Sequence, residues 1–386
     1  MDRDSLIFNS CAFIASLFLL QSGAALFTTN TAIIGRRCGI PETLIALLTV
    51  GAEWEELAIV VTCIIQKRPS LALGNVVGSS ISNVMGAFAL GILFNKNSLR
   101  FDASAKIYSG ALFVVSTIFA ILAFTELLDL TGGIFFIVAF AVYVVSICSA
   151  IYDGILDPTP EEGEVLEDVE DSRLPVPDTD HQELHISIYP SVLQCHPTET
   201  SPLLPTNSQP PAPTGEPPRQ TGITWHAFLV LISLTAMFIA AYGLSQSADS
   251  LSSLFQISHT LIGITLVSFS TTLPEKIIAI IGSWQSHTTT MTATTAGSNM
   301  FLLTLCIGMI LVSGVHGDAD DDSGRQPLPA SGLLTNNLVA FEVWTVWSCS
   351  VLLMLITWTG SRRWLGALLF GLYISFIAVE LTHFRR

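Results

Sequence analysis

Ten apolar runs of about 20 residues or more dominate this 386-residue chain, and each is long enough to cross the hydrocarbon core of a bilayer as a helix. They lie near 5–27, 40–66, 70–94, 105–126, 131–152, 222–245, 256–283, 290–313, 336–359 and 363–384. Lipid offers no partner to a backbone N–H or C=O, so runs of this kind fold as helices that satisfy their own backbone. Half of the residues are hydrophobic, only 12% are charged and the mean hydropathy is +0.60, which excludes an ordinary soluble domain. The first run lacks a basic n-region and a small-residue cleavage site, so it reads as a retained helix rather than a signal peptide. The expectation is an all-α polytopic membrane protein of about ten transmembrane helices, with membrane lipid as its surroundings. Five runs precede a long polar stretch and five follow it. An odd number of crossings brings the second half into the membrane from the opposite side, so the two halves are expected to be inverted five-helix repeats. The expected units are residues 1–152, a loop at 153–221, and residues 222–386.

The net charge of −15 is mostly local. Between Asp153 and Gln220 stand fourteen acids against Arg173 and Arg219, together with thirteen of the eighteen prolines. Such a stretch cannot bury enough apolar surface to offset its ordering entropy and reads as a disordered, acidic, Pro-rich tether. It contains Glu199-Thr-Ser-Pro-Leu203-Leu204, an acid three residues before a Leu pair. That spacing fits a sorting address read by cytosolic adaptors, and points to an endosomal, vacuolar or other intracellular membrane. Short loops on one side collect Arg36, Arg37, Lys96, Arg100, Lys106, Arg362 and Arg363, seven bases against six on the other, which also places the long loop in the cytosol. The seven cysteines form no CxxC or Cys/His cluster, so neither a disulfide framework nor a zinc site is indicated. Nothing suggests a nucleic-acid partner. No P-loop occurs, which argues against an ATP-driven pump. No GxGD accompanies Tyr152-Asp153, which argues against an intramembrane aspartyl protease.

Two apolar segments carry the same polar cargo. The first runs from Ala52 to Asn83 and the second from Thr271 to Leu302. With Glu56 laid on Glu275, an offset of 219, Ser79 falls on Ser298 and Asn83 on Leu302. A carboxylate at the bilayer centre costs roughly 3 kcal/mol or more, so a Glu there marks function by default. Two at matching places in two halves point to a binding site built at a repeat interface. In the second half Thr271, Thr272 and Glu275 fall on one helical face, and Pro274 removes a backbone donor and breaks or kinks the helix. Hydroxyls, carboxylates and freed carbonyls form an all-oxygen set, suited to Na⁺ and Ca²⁺ and unsuited to soft metals.

These residues resemble the alpha repeats of the cation/Ca²⁺ exchanger superfamily, which carry a small-Thr-Ser-x-Pro-Glu stretch followed by Gly-Asn-x-x-Gly-Ser-Asn. Ser270-Thr-Thr-Leu-Pro-Glu275 is similar to the first element; Gly74-Asn75-Val-Val-Gly78-Ser79-Ser80 and Ala296-Gly297-Ser298-Asn299 are similar to the second. The resemblance places the repeats at 40–94 and 256–313. It implies a secondary antiporter that moves Ca²⁺ or a related cation against Na⁺ or H⁺ by alternating access, with no enzymatic activity and no cofactor. The implied cation ligands are Glu56, Ser79 and Asn83 from one repeat with Thr271, Thr272, Glu275 and Ser298 from the other.

The first repeat departs from that pattern. Ala52-Glu53 replaces Thr-Ser, Glu55 replaces the Pro, and the stretch from Ile45 to Glu56 is two residues shorter than that from Ile262 to Glu275. Leu302 stands where the family usually has Asp or Asn, and Lys276 follows Glu275 directly. Glu53 and Glu56 share a helical face at i, i+3, and two readings of Glu53 stand. It restores the charge that Leu302 forfeits and joins the ligand set, or Glu53 and Glu55 reach a water-filled vestibule or pair with Lys276. Three converging carboxylates would hold a proton and favour H⁺ coupling. A transport-inactive or regulatory protein that keeps the scaffold is the alternative function.

Overall fold

A computed structural model of the chain describes residues 3–40, 53–95, 101, 103–125, 127–152, 222–284, 288–314 and 340–383. The polar loop at 153–221, with its sorting address at Glu199, Leu203 and Leu204, lies outside the described residues. Each of the ten apolar runs contains helix: α1 (Arg3–Arg37), α2 (Trp54–Ile65), α3 (Pro69–Phe94), α4 (Ala103–Phe124), α5 (Leu130–Tyr152) and α6 (Ile223–Phe255), then α7 (His259–Thr271) bent into α8 (Leu273–Trp284), then α9 (288–314), α10 (Ala340–Thr359) and α11 (Arg363–His383). Seven of these are long and apolar enough to cross a membrane alone, and the bent pair α7–α8 makes an eighth. There is no β-strand among the described residues, and the protein is a polytopic all-α membrane protein.

Burial sorts the helices into a centre and a rim. In α3 and α9, 89% and 83% of the apolar window is inside the protein, against 22–44% for α1, α4, α6, α10 and α11. A membrane helix that is apolar all round is at home against lipid, so an interior place needs small or polar residues that let backbones approach. The rim helices accordingly present Phe8, Phe18, Phe228, Leu231 and Trp358 outward. The two central helices carry Asn75, Ser79, Ser80, Ser82, Asn83, Ser298 and Asn299, all buried. At the crossing of α3 and α7 the chains nearly touch: a Cβ on Gly263 would stand 2.7 Å from the Leu71 carbonyl oxygen and 2.8 Å from the Asn75 nitrogen. Only glycine fits there.

The element boundaries repeat. α2 and α8 are both twelve residues long, and their first residues, Trp54 and Leu273, differ by 219 positions, as do their last, Ile65 and Trp284. The long helices α1 and α6 begin 220 positions apart and end 218 apart. α3 and α9 each pass through a wide π-helical turn, at Ser82–Phe88 and Leu302–Cys306. A further π segment, Gly263–Val267, lies within α7.

Candidate cation site

The chain breaks where each central carboxylate is presented. α7 ends at Thr271, Thr272 leaves helical geometry at φ −89° and ψ 13°, and α8 sets off from Leu273 at 43° to α7. Pro274 is the second residue of α8, a place where its missing N–H costs nothing. The break therefore falls two residues before the proline, because the preceding turn cannot find the donor that Pro274 lacks. In the first half Glu53, at φ −73° and ψ 74°, stands just outside the helix that begins at Trp54, although no proline is present. Glu56 and Glu275 are thus each the third residue of a helix starting at depth. The positive end of a helix dipole favours a carboxylate in the first turn.

Glu56 is fully buried and gathers partners from both halves. Its Oε1 accepts from Ser79 Oγ at 3.5 Å, and Glu53, Thr271 and Glu275 all act on it electrostatically. Glu53, 7% exposed, accepts at Oε1 from Asn83 Nδ2 at 3.3 Å. The same amide reaches Asn299 Oδ1 at 3.4 Å, and Asn299 Nδ2 donates to the Ser80 carbonyl at 3.1 Å. Glu56 Oε2 and Asn83 Oδ1 are buried with no hydrogen-bond partner. An orphaned buried oxygen costs free energy unless something electropositive meets it, and here two lie in one polar cluster. Ser298 is buried on α9 next to Asn299.

The structure thus brings together Glu56, Ser79, Asn83, Thr271 and Glu53, with Glu275 near Glu56. Glu53 is buried beside Asn83, though not through an i, i+3 helical face: it stands at the N-cap position, outside the helix, and its side chain makes no capping hydrogen bond. Glu55 turns the other way and accepts from Gln21 Nε2 of α1 at 2.8 Å; that amide also donates to the Thr271 carbonyl at 3.2 Å. Thr272 does not share a face with Thr271, because the break rotates it away. Its Oγ1 donates to the Ser268 carbonyl at 2.6 Å, lies 2.8 Å from Ser82 Oγ, and accepts from Lys276 Nζ at 2.6 Å. Among the described residues no three Asp, Glu, His or Cys side chains are placed to hold a metal between them. The site is a small carboxylate set completed by hydroxyl, amide and carbonyl oxygens, which is hard-cation chemistry. Asn299 and Gln21 were not among the ligands read from sequence. Asn299 closes the motif that begins at Ala296, and Gln21 is an amide in the middle of an apolar run, so both carried a signal.

Comparison with known proteins follows the same lines. The profile of the family described as sodium/calcium exchanger protein matches residues 8–148 and 225–382. The chain is 26% identical over 314 residues to CaxA of Alkalimonas amylolytica, named as an antiporter, over 78% of this chain and 80% of that one. It is 25% identical over 160 residues to the sodium/calcium exchanger MaX1 of Methanosarcina acetivorans, 41% of each chain. Its fold is similar to that of the sodium-calcium exchanger NCX_Mj soaked with 2.5 mM Na⁺ and 10 mM Sr²⁺, with a TM-score of 0.52 over 97% of this chain and 99% of that one, at 17% identity.

Proposed function

Because the chain belongs to the sodium/calcium exchanger protein family, whose members are cation antiporters, we propose that it exchanges Ca²⁺ for Na⁺ by alternating access at the Glu56 cluster. The observation that carries this reading is the meeting of buried Glu56, Glu53 and Asn83 from one half with buried Thr271 and Asn299 from the other, with half-buried Glu275 in the field of Glu56. Oxygen ligands alone favour Na⁺ and Ca²⁺ over softer ions. A site shared between two halves is emptied when the halves rock apart, so the same oxygens serve both faces of the membrane in turn. The departures in the first repeat do not dismantle it: α2 still begins at Trp54 without a proline, and Glu53 supplies a carboxylate that Leu302 does not. This supports an active transporter over an inert scaffold.

H⁺ is a second candidate counter-ion, because two carboxyl groups, Glu53 and Glu56, are buried in one cluster. The loop at 153–221 is read as cytosolic, with Glu199, Leu203 and Leu204 addressing the protein to an endosomal or vacuolar membrane. The test is ⁴⁵Ca²⁺ flux in proteoliposomes, with Na⁺ and pH gradients imposed separately and Mn²⁺ as competitor. Uptake driven by a Na⁺ gradient at constant pH is expected; a carrier that responds to neither gradient overturns the reading.

A further inference from the structure

Lys276 brings a positive charge into the interior directly beside the site. Its side chain is buried, and Nζ donates to Thr272 Oγ1 at 2.6 Å and to the carbonyl oxygens of Thr272 at 3.1 Å and Phe269 at 3.5 Å. The ammonium lies 4.8 Å from the centre of the Phe269 ring and 5.8 Å from that of Tyr373. Ser82 Oγ, 2.8 Å from Thr272 Oγ1 and 2.9 Å from the Tyr373 hydroxyl, fixes the rear of this cradle from the other half of the chain. Room for the lysine comes from Gly86, where a Cβ would stand 2.9 Å from Lys276 Cε. The same charge acts on both Glu275 and Glu56.

A hydroxyl and two carbonyl oxygens at the carbonyl end of a broken helix, under an aromatic face, are what a partly dehydrated monovalent cation takes as ligands. Here a covalently attached cation already holds them. An ordinary structural lysine in a membrane helix snorkels toward the interface, whereas this one turns back onto the break. We propose that the Lys276 ammonium is a tethered occupant of a monovalent-cation subsite formed by Thr272 Oγ1 and the Thr272 and Phe269 carbonyls, so that the protein takes up one exchangeable monovalent cation fewer than the same oxygen frame would hold with that position open. This rests on the exchanger reading and sets its stoichiometry. Unlike a bound Na⁺, the tethered ammonium cannot leave for solvent when the site opens. It also accounts for Thr272, which the alpha-repeat pattern offers as a cation ligand and which here binds an ammonium.

The test counts ions on the full-length protein purified in detergent. A ligand that binds only the folded state raises stability with the logarithm of its concentration, and the slope reports how many ions bind. Thermal unfolding is followed across a Na⁺ series balanced with choline, for the wild type, Lys276→Ala and Lys276→Met. Lys276→Ala removes the charge and opens the cradle, and its slope is expected to exceed the wild-type slope by about one Na⁺. Lys276→Met removes the charge but keeps the position filled, and should gain none. A lysine that merely pins the helix break would give two destabilised variants with wild-type slopes, and that result overturns the proposal. A Lys276→Ala protein that folds in Na⁺ and not in choline supports it; one that folds in neither overturns it. Wild-type ⁴⁵Ca²⁺ flux is measured in parallel. Missing flux with the contrast in slopes intact overturns the exchange reading alone, and normal flux with equal slopes overturns the tethered cation alone.

Discussion

Replacing Glu53 by Gln separates divalent from monovalent binding, because it deletes one charge and keeps the shape and the contact with Asn83 Nδ2. A cation seated against Glu56 Oε2 and Asn83 Oδ1, at ~2.4 Å from each, stands roughly 5 Å from the Glu53 carboxylate. At an effective dielectric constant of about 20, that charge draws in a divalent ion by about 6 kcal/mol and a monovalent ion by about 3 kcal/mol. The two carboxylates, roughly 4 Å apart once both are ionised, repel each other by about 4 kcal/mol. Removing Glu53 loses the first quantity and gains the second. The divalent ion is therefore left worse off by about 2 kcal/mol, and the monovalent ion is left about where it was or slightly better. Titration calorimetry on the purified protein should show Ca²⁺ affinity falling by about 30-fold while Na⁺ affinity stays within a few-fold of the wild type. Adding Leu302→Asp supplies an acid from the facing half and should restore part of the Ca²⁺ affinity, a coupling visible as non-additivity in the double-mutant cycle. Equal weakening of both ions would refute the reasoning, since it would mean that Glu53 holds the fold of the site and not its charge.

Three further outcomes can be checked. Glu56→Gln and Glu275→Gln should each abolish Ca²⁺ flux in proteoliposomes while the protein still elutes as a folded species, because each removes ligand charge and keeps shape; unchanged flux in either would displace that residue from the site. Gly263→Ala forces α3 and α7 apart by about half an ångström, since a Cβ would lie 2.7 Å from the Leu71 carbonyl oxygen. Overpacking of this kind costs about 1–3 kcal/mol, so a lowered melting temperature together with weaker Ca²⁺ binding is expected, and an unaltered melting temperature counts against the close crossing. Deleting most of 160–215 with a flexible connector retained should leave flux intact, and Leu203→Ala with Leu204→Ala should move the protein toward the cell surface on fluorescence imaging; unchanged location removes the sorting address.

The helices were legible because membrane length and apolarity are properties of contiguous residues. The paired carboxylates were legible because an ionisable group in such a run has no other ready explanation. Less could be read of how chain breaks aim side chains. Thr271 and Thr272 look equivalent in the sequence before Glu275, yet one backbone rotation at residue 272 turns Thr272 to Lys276, while Thr271 bonds back to the Val267 and Ser268 carbonyls. Glu53 was placed near Glu56 by helical spacing, and it is near, but as a residue outside the helix. Contacts such as Asn83 to Asn299 and Ser82 to Thr272 join residues 216 and 190 positions apart. No local pattern encodes them, since they depend on how the two halves dock.

The paired π-helical turns in α3 and α9 have a consequence for reading relatives of this chain. An α-helix advances about 100° per residue, and a wide turn accommodates one extra residue without interrupting the rod. Residues on the two sides of Ser82–Phe88, and of Leu302–Cys306, are therefore out of phase with the register that an uninterrupted α-helix would keep. A homologue in which either turn has relaxed to plain α-helix would align with a single-residue gap in the middle of an apolar span, where no loop exists. Such a gap is a change of helical winding, and forcing it shut would assign the wrong faces to every residue beyond it.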